Sequence, residues 1–139
     1  MNRITILTVI LIFFLFASCD NVFVDCENYD YSDCDQVEPA DGELKVELTI
    51  NNENQSVPVV IYKGNFEDRD TILDTLISEN QLRYYLPVDR SYSVAATYFS
   101  GNKTIVAVDG DRMEKKSRKV CSATCWRVKG NNLDVRLKY

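Results

Sequence analysis

The chain has 139 residues and a formal net charge of −5 at pH 7, and it contains no histidine. Without histidine it lacks the commonest general base, the usual zinc ligand and every Ser–His or Cys–His nucleophile pair. It also has no strongly basic stripe, so we do not expect nucleic acid as a partner. These properties predict a protein that is not an enzyme and that carries no metal or cofactor.

The first 19 residues have the layout of an export signal. Arg3 supplies a positive start, residues 4–16 are apolar, and the small residues Ala17 and Ser18 precede Cys19. The apolar run is shorter than the roughly 20 residues that a membrane-spanning helix needs. The pattern therefore predicts targeting to the cell envelope.

Residues 15–19, Leu-Phe-Ala-Ser-Cys, resemble the lipobox of bacterial lipoproteins. The resemblance implies that residues 1–18 are a signal peptide and that Cys19 carries lipid, palmitate included, that holds the protein on a membrane. A cysteine with two or more acyl chains anchors a protein stably. Two alternatives are an ordinary signal peptide cut near Ala17 and an uncleaved membrane helix.

An acidic segment follows the signal. Nine acidic residues and no Lys or Arg occur from Asp20 to Glu43, whereas residues 44–139 have 15 basic and 12 acidic residues. We interpret residues 19–42 as the anchor and an acidic linker, extended in front of a domain at 43–139. An acidic start after the lipid cysteine resembles the export signal of surface lipoproteins, which implies the outer membrane and display at the cell surface.

The rest of the chain consists of short apolar segments separated by turn residues. Strands are predicted at residues 44–50, 57–62, 71–76, 81–86, 91–99 and 103–108. Segment 71–76 also has helical spacing. The polar segment 109–119 is predicted to be a loop, and segments 120–129 and 133–139 are predicted to form a last hairpin around Gly130. The residues predicted to be buried are Leu44, Val46, Leu48, Val94, Ala96, Val106, Val135 and Leu137.

Seven or eight short strands without a convincing helix predict an all-β fold, a single antiparallel β-sandwich. Residues 44–46, 59–64 and 92–96 resemble the transthyretin-like and collagen-binding-protein B-type (CnaB-like) modules of bacterial surface proteins. In such families the module is usually a spacer or a binding unit. The whole chain also resembles small lipoproteins of Bacteroidetes-type bacteria.

Four cysteines remain after Cys19: Cys26, Cys34, Cys121 and Cys125. An even number in an exported chain predicts two disulfides, for which three connectivities exist. We marginally favour the local pairs, because a loop closed by the two cysteines of the linker is small and can form before the domain folds. A four-cysteine zinc site is the alternative, which the spacing fits poorly.

Three aromatic residues are candidate contacts for an envelope protein or a glycan: Tyr84, Tyr85 and Trp126. Adjacent residues of a strand point to opposite faces, so one of the two tyrosines should leave the core. The leading hypothesis is a lipid-anchored, non-enzymatic module that serves binding or an accessory role at the bacterial cell envelope. The alternatives are a hydrolase with a site near Asp109 and Asp111 and a purely structural envelope protein.

Overall fold

The computed structural model describes residues 25–138, so the predicted signal peptide and Cys19 lie outside the described residues. The described part contains eight strands and one short 3-10 helix, Phe66–Asp68. The strands are β1 Asp41–Glu47, β2 Val57–Lys63, β3 Thr71–Ile77, β4 Gln81–Pro87, β5 Arg90–Ser100, β6 Lys103–Val120, β7 Ala123–Lys129 and β8 Asn132–Asp134. The all-β prediction is confirmed, and residues 71–76 form a strand, as predicted.

The strands form two sheets. A three-stranded sheet has the order β4-β1-β8, and a five-stranded sheet has the order β3-β2-β5-β6-β7. Every pair is antiparallel except β1 with β8, which is parallel. The two sheets give the predicted sandwich, with one parallel pair that the sequence did not indicate.

The core lies between the sheets and follows the predicted alternation. On β1, Leu44 and Val46 are fully buried, while Glu43, Lys45 and Glu47 on either side of them are half-exposed. On β5, four alternate residues are buried toward the same core: Tyr92, Val94, Ala96 and Tyr98. Of the eight residues predicted to be buried, six are; Leu137 is half-buried, and Val106 is exposed.

Val106 is exposed because the register places it on the side of the sheet away from the core. It lies opposite Thr97, whose neighbours Ala96 and Tyr98 point inward. Successive side chains of a strand alternate between faces, so Val106 shares the outward face with Thr97. The prediction that Val106 is buried was therefore wrong.

The predicted loop at 109–119 and the predicted last hairpin are also wrong. Strand β6 runs through the whole polar segment, pairing first with β5 and then, from Glu114, with β7. A strand whose side chains are mostly exposed on both faces has no hydrophobic period to reveal it. After β7, Gly130 adopts a positive φ of 67°, and the chain crosses to the other sheet, where β8 pairs with β1.

One buried hydroxyl joins the two sheets. Tyr98 of β5 donates from its Oη to the carbonyl oxygen of Val135 at 2.9 Å and accepts from the backbone N–H of Thr49 at 3.2 Å. Val135 follows β8 and Thr49 follows β1, so both partners belong to the three-stranded layer. Burial raises the pKa of Tyr98, so the phenol stays protonated at neutral pH.

We expect Tyr98→Phe to lower the free energy of unfolding by about 1–3 kcal/mol, because the part-buried N–H of Thr49 and the C=O of buried Val135 lose their shared partner. Chemical denaturation measures this change. Tyr85→Phe is the matched control, since Tyr85 is 71% exposed and should lose almost nothing. Equal, negligible effects of the two substitutions would contradict the role given to Tyr98.

Candidate functional site

The leader, residues 25–40, is fastened to the far end of the five-stranded sheet. Strands β6 and β7 continue there as a two-stranded ribbon, residues 114–129, which we call the arm. Cys26 is bonded to Cys121 at the turn of the arm, and Cys34 is bonded to Cys125 on β7. The prediction of two disulfides is confirmed, whereas the local pairing is wrong, and the zinc alternative is not realised.

Position explains the crossed pairing. The Cα atoms are 5.6 Å apart for Cys26 and Cys121 and 4.8 Å apart for Cys34 and Cys125, both within the range a disulfide can bridge. Next to the second bond, the N–H of Trp126 donates to the carbonyl oxygen of Asp35 at 2.7 Å. Residues 26–40 therefore lie along the arm, which corrects the prediction of a leader extended in front of the domain.

Charge also matches the leader to the arm. Lys115 Nζ lies 2.7 Å from Glu38 Oε1 of the leader and 3.4 Å from Asp89 Oδ2, and its pKa is raised chiefly by the hydrogen bond to Glu38. Lys115 is the basic residue of β6 that pairs with the leader in the described part of the chain, whereas Arg112 and Lys116 pair with Glu114 of their own strand. Arg118 and Lys119, nearest the turn, form no ion pair within residues 25–138. Exposed pairs of this kind contribute little stability, so the disulfides dominate the attachment.

Removing both disulfides should cost more than twice the loss of either one, because either bond alone still closes the long loop between the leader and the arm. With Cys26–Cys121 intact, the loss of Cys34–Cys125 opens only a ring of about 14 residues and costs about 3 kcal/mol. Removing both also releases a loop of more than 90 residues, for a total of about 7–8 kcal/mol. That total is comparable with the whole stability of a small domain.

Denaturant unfolding of the paired Cys→Ala variants measures these costs, with peptide mapping of non-reduced protein to verify the remaining bond. A single removal as costly as the double removal would contradict the shared-loop argument.

The three aromatic residues predicted as contacts do not form one site. Tyr84 is half-buried and packs against the core, while Tyr85 on the same strand is 71% exposed, which confirms that they point to opposite faces. Trp126 is half-buried on β7, in the other sheet. Within the described residues no ring contact joins any two of the three.

A larger apolar surface lies on the side of the five-stranded sheet that faces away from the core, which we call the outer face. Four large side chains there are between 45% and 61% exposed: Leu76, Phe99, Val106 and Val108. The register places Val60, Ala95 and Val108 side by side on three neighbouring strands. Sequence reasoning missed this face, although the unbroken apolar run at 105–108 was a signal, because a strand with one solvated face alternates with polar residues.

A groove of about 640 Å³ adjoins the outer face, between the 3-10 turn and strands β5 and β6. Phe66 lies at its wall, edge-to-face with Tyr62. At its floor Ser93 faces Gly110, and any Cβ at Gly110 would lie only 3.0 Å from the Cβ of Ser93, so glycine permits this close approach. The Ser93 Oγ is buried and has no hydrogen-bond partner within the described part of the chain.

The carboxylates considered for catalysis lie on β6 and bond to the backbone. Asp109 accepts from the N–H of Gly110 at 2.9 Å and from that of Asp134 at 2.7 Å, and Asp111 accepts from the N–H of Arg112 at 2.7 Å. Asp109 thereby joins β6 to the end of β8. Residues 25–138 contain no group of three or more His, Cys, Asp or Glu side chains that could hold a metal ion.

No protein-family model matches this chain, and no match is found among curated proteins or solved structures. Among residues 25–138 there is also no helix long and apolar enough to cross a membrane. The resemblance to lipoproteins and to transthyretin-like modules stays a prediction.

Proposed function

We propose that this chain is a lipid-anchored, non-enzymatic lipoprotein that presents a β-sandwich for binding at the bacterial cell envelope, with the outer membrane as its place. The observation that carries the proposal is the outer face. Exposed apolar patches of this kind on soluble domains commonly mark interaction sites. An envelope protein or a glycan is the partner we expect, and Tyr85 on the other sheet is a second candidate contact.

The leader supports a position close to the membrane. Cys19 precedes Cys26 by seven residues, and Cys26 is fastened to the arm. Seven residues span at most about 25 Å, in contrast with the roughly 80 Å available to a free linker of 24 residues. A lipid on Cys19 therefore holds the turn of the arm near the bilayer surface. The partner must then bind the module close to the membrane.

The first test concerns the anchor. We expect Cys19→Ala to abolish lipid addition, so that intact-mass analysis shows no acyl chains and the protein leaves the membrane fraction. Asn21→Ala is the control, because it alters the same segment without removing the thiol. Unchanged mass and unchanged membrane association of the Cys19 variant would rule out the anchor.

The second test concerns binding. The full-length protein, cross-linked in intact membranes, should retain a specific partner that is lost with Phe99→Ser. A side chain at the centre of an interface is commonly worth 2 kcal/mol or more, so we expect binding to weaken roughly thirtyfold. Tyr85→Ser is the comparison variant, since it removes an exposed aromatic residue, the second candidate contact, from the other sheet.

Loss of the partner with Tyr85→Ser alone would move the site to the three-stranded sheet. A glycan array with the same variants tests the carbohydrate alternative. Retention of every partner and glycan by both variants would contradict binding through these two surfaces.

A further inference from the structure

One edge of β6 is open along the first half of the strand, which follows the turn at Gly101. Strand β6 pairs with β5 from Lys103 to Met113 and with β7 only from Glu114 onward. Because β5 and β7 flank β6 on its two sides, the segment from Lys103 to Asp111 has one edge without a strand partner in the described part of the chain. The backbone N–H and C=O groups along that edge can accept another strand.

This edge lacks the features that usually prevent strand addition. Natural edge strands carry a charge, a proline or a bulge, or are very short. Edge strand β3 carries Asp74, β4 carries Arg83, and β8 has three residues. Residues 104–108 of β6 include no charge and no proline, and their register with β5 is regular.

The side chains on this open segment are also apolar and exposed. Ile105, Val106 and Val108 are 38%, 51% and 45% exposed, and they project on both faces of the strand. A long, flat, apolar edge is a template for a further strand, which gains main-chain hydrogen bonds and side-chain contacts together. The occupant must therefore be an extended strand with apolar residues on both faces.

We propose that the occupant is β6 of a second copy of this chain, paired antiparallel about a twofold axis at Val106. In this register Lys103 lies opposite Asp109 of the second copy, Ile105 lies opposite Ala107, and Val106 lies opposite itself. Neither Lys103 nor Asp109 forms an ion pair within residues 25–138. The opposite charges at the two ends of the segment specify the antiparallel direction, and the symmetry makes each contact away from the axis occur twice.

A neighbouring cleft accommodates the incoming side chains. It measures about 270 Å³ and lies between β6 and the C-terminal segment, with Ile105, Ala107 and Leu137 among its lining residues. In the proposed register, Ile105 of the second copy lies directly opposite Ala107. The side chain of that Ile105 points to the core-facing side of the sheet and therefore occupies the cleft.

The pairing has a consequence for the membrane. The two arms continue β6 beyond the sandwich, so in an antiparallel dimer they point in opposite directions. The twofold axis is perpendicular to the joined sheet. Both N-terminal segments can therefore reach one bilayer when the joined sheet lies parallel to it, and the two outer faces become one continuous surface.

Cysteine cross-linking of the full-length protein in membranes tests the register. Val106→Cys places two thiols on the axis, with Cα atoms about 4.5–5.5 Å apart, which allows a disulfide between copies. Val108→Cys is the matched control, because its two copies lie about four residues apart along the strand, roughly 13 Å. We expect rapid formation of a dimer with the first variant and only the wild-type background with the second.

Sedimentation of the full-length protein in detergent tests the association itself. We expect a concentration-dependent dimer for the wild type and a dissociation constant raised roughly tenfold or more by Val106→Lys, since two like charges then meet on the axis. Leu76→Lys, at an exposed position of the opposite edge strand, should leave the dimer intact.

Four results would overturn the proposal: a wild-type protein that stays monomeric at all concentrations, a dimer that Val106→Lys does not weaken, equal cross-linking at positions 106 and 108, or a Val106→Cys adduct that contains a different protein.

Discussion

Two covalent bonds hold the leader, residues 25–40, on the arm of the five-stranded sheet. Without them, residues 25–40 would be an acidic tail with few apolar contacts to hold it. Cys26–Cys121 and Cys34–Cys125 instead add a third segment to a two-stranded ribbon that would be marginally stable by itself. The ribbon can therefore extend beyond the sandwich, and Cys26 is held at the turn of the arm.

Strand β6 connects the parts of the molecule. Its first half belongs to the sandwich, through β5, and its second half belongs to the arm, through β7. This change of partner leaves the first half with a free edge, and it is also where three exposed apolar side chains occur. The second half is polar and contacts the acidic leader through Lys115, so a single strand combines two surfaces of different chemistry.

The anchor and the outer face impose different constraints on the proposed function. The proposed lipid on Cys19 would confine the module to a layer near the membrane, whereas the outer face lies on the broad side of the larger sheet. A partner that uses the outer face must therefore dock on the broad side of the sheet and not on the end of the sandwich opposite the arm. The Tyr98 hydroxyl links the larger sheet to the segments that follow β1 and β8 of the smaller one.

The sequence by itself determined the fold class, the positions of the strands with one buried face, and the existence of two disulfides. Alternation on β1 and β5 was sufficient for the strands, since burial of one face imposes a period of two on a strand. The even number of cysteines after Cys19 was sufficient for the disulfides. The same alternation predicted that Tyr84 and Tyr85 point to opposite faces of β4. It did not determine the extent of β6, because residues 114–119 are polar and mostly exposed on both faces and so have no period to detect.

Only the tertiary structure decided which cysteines pair, where the last strand goes and which apolar residues stay exposed. Each of these depends on contacts between residues far apart in the chain, such as the 95-residue separation of Cys26 and Cys121. Val106 illustrates the reason: its apolar character is visible in the sequence, but its exposure follows from whether a second layer covers that face of the sheet. Local pattern reports what a strand can bury, and packing decides which face is covered.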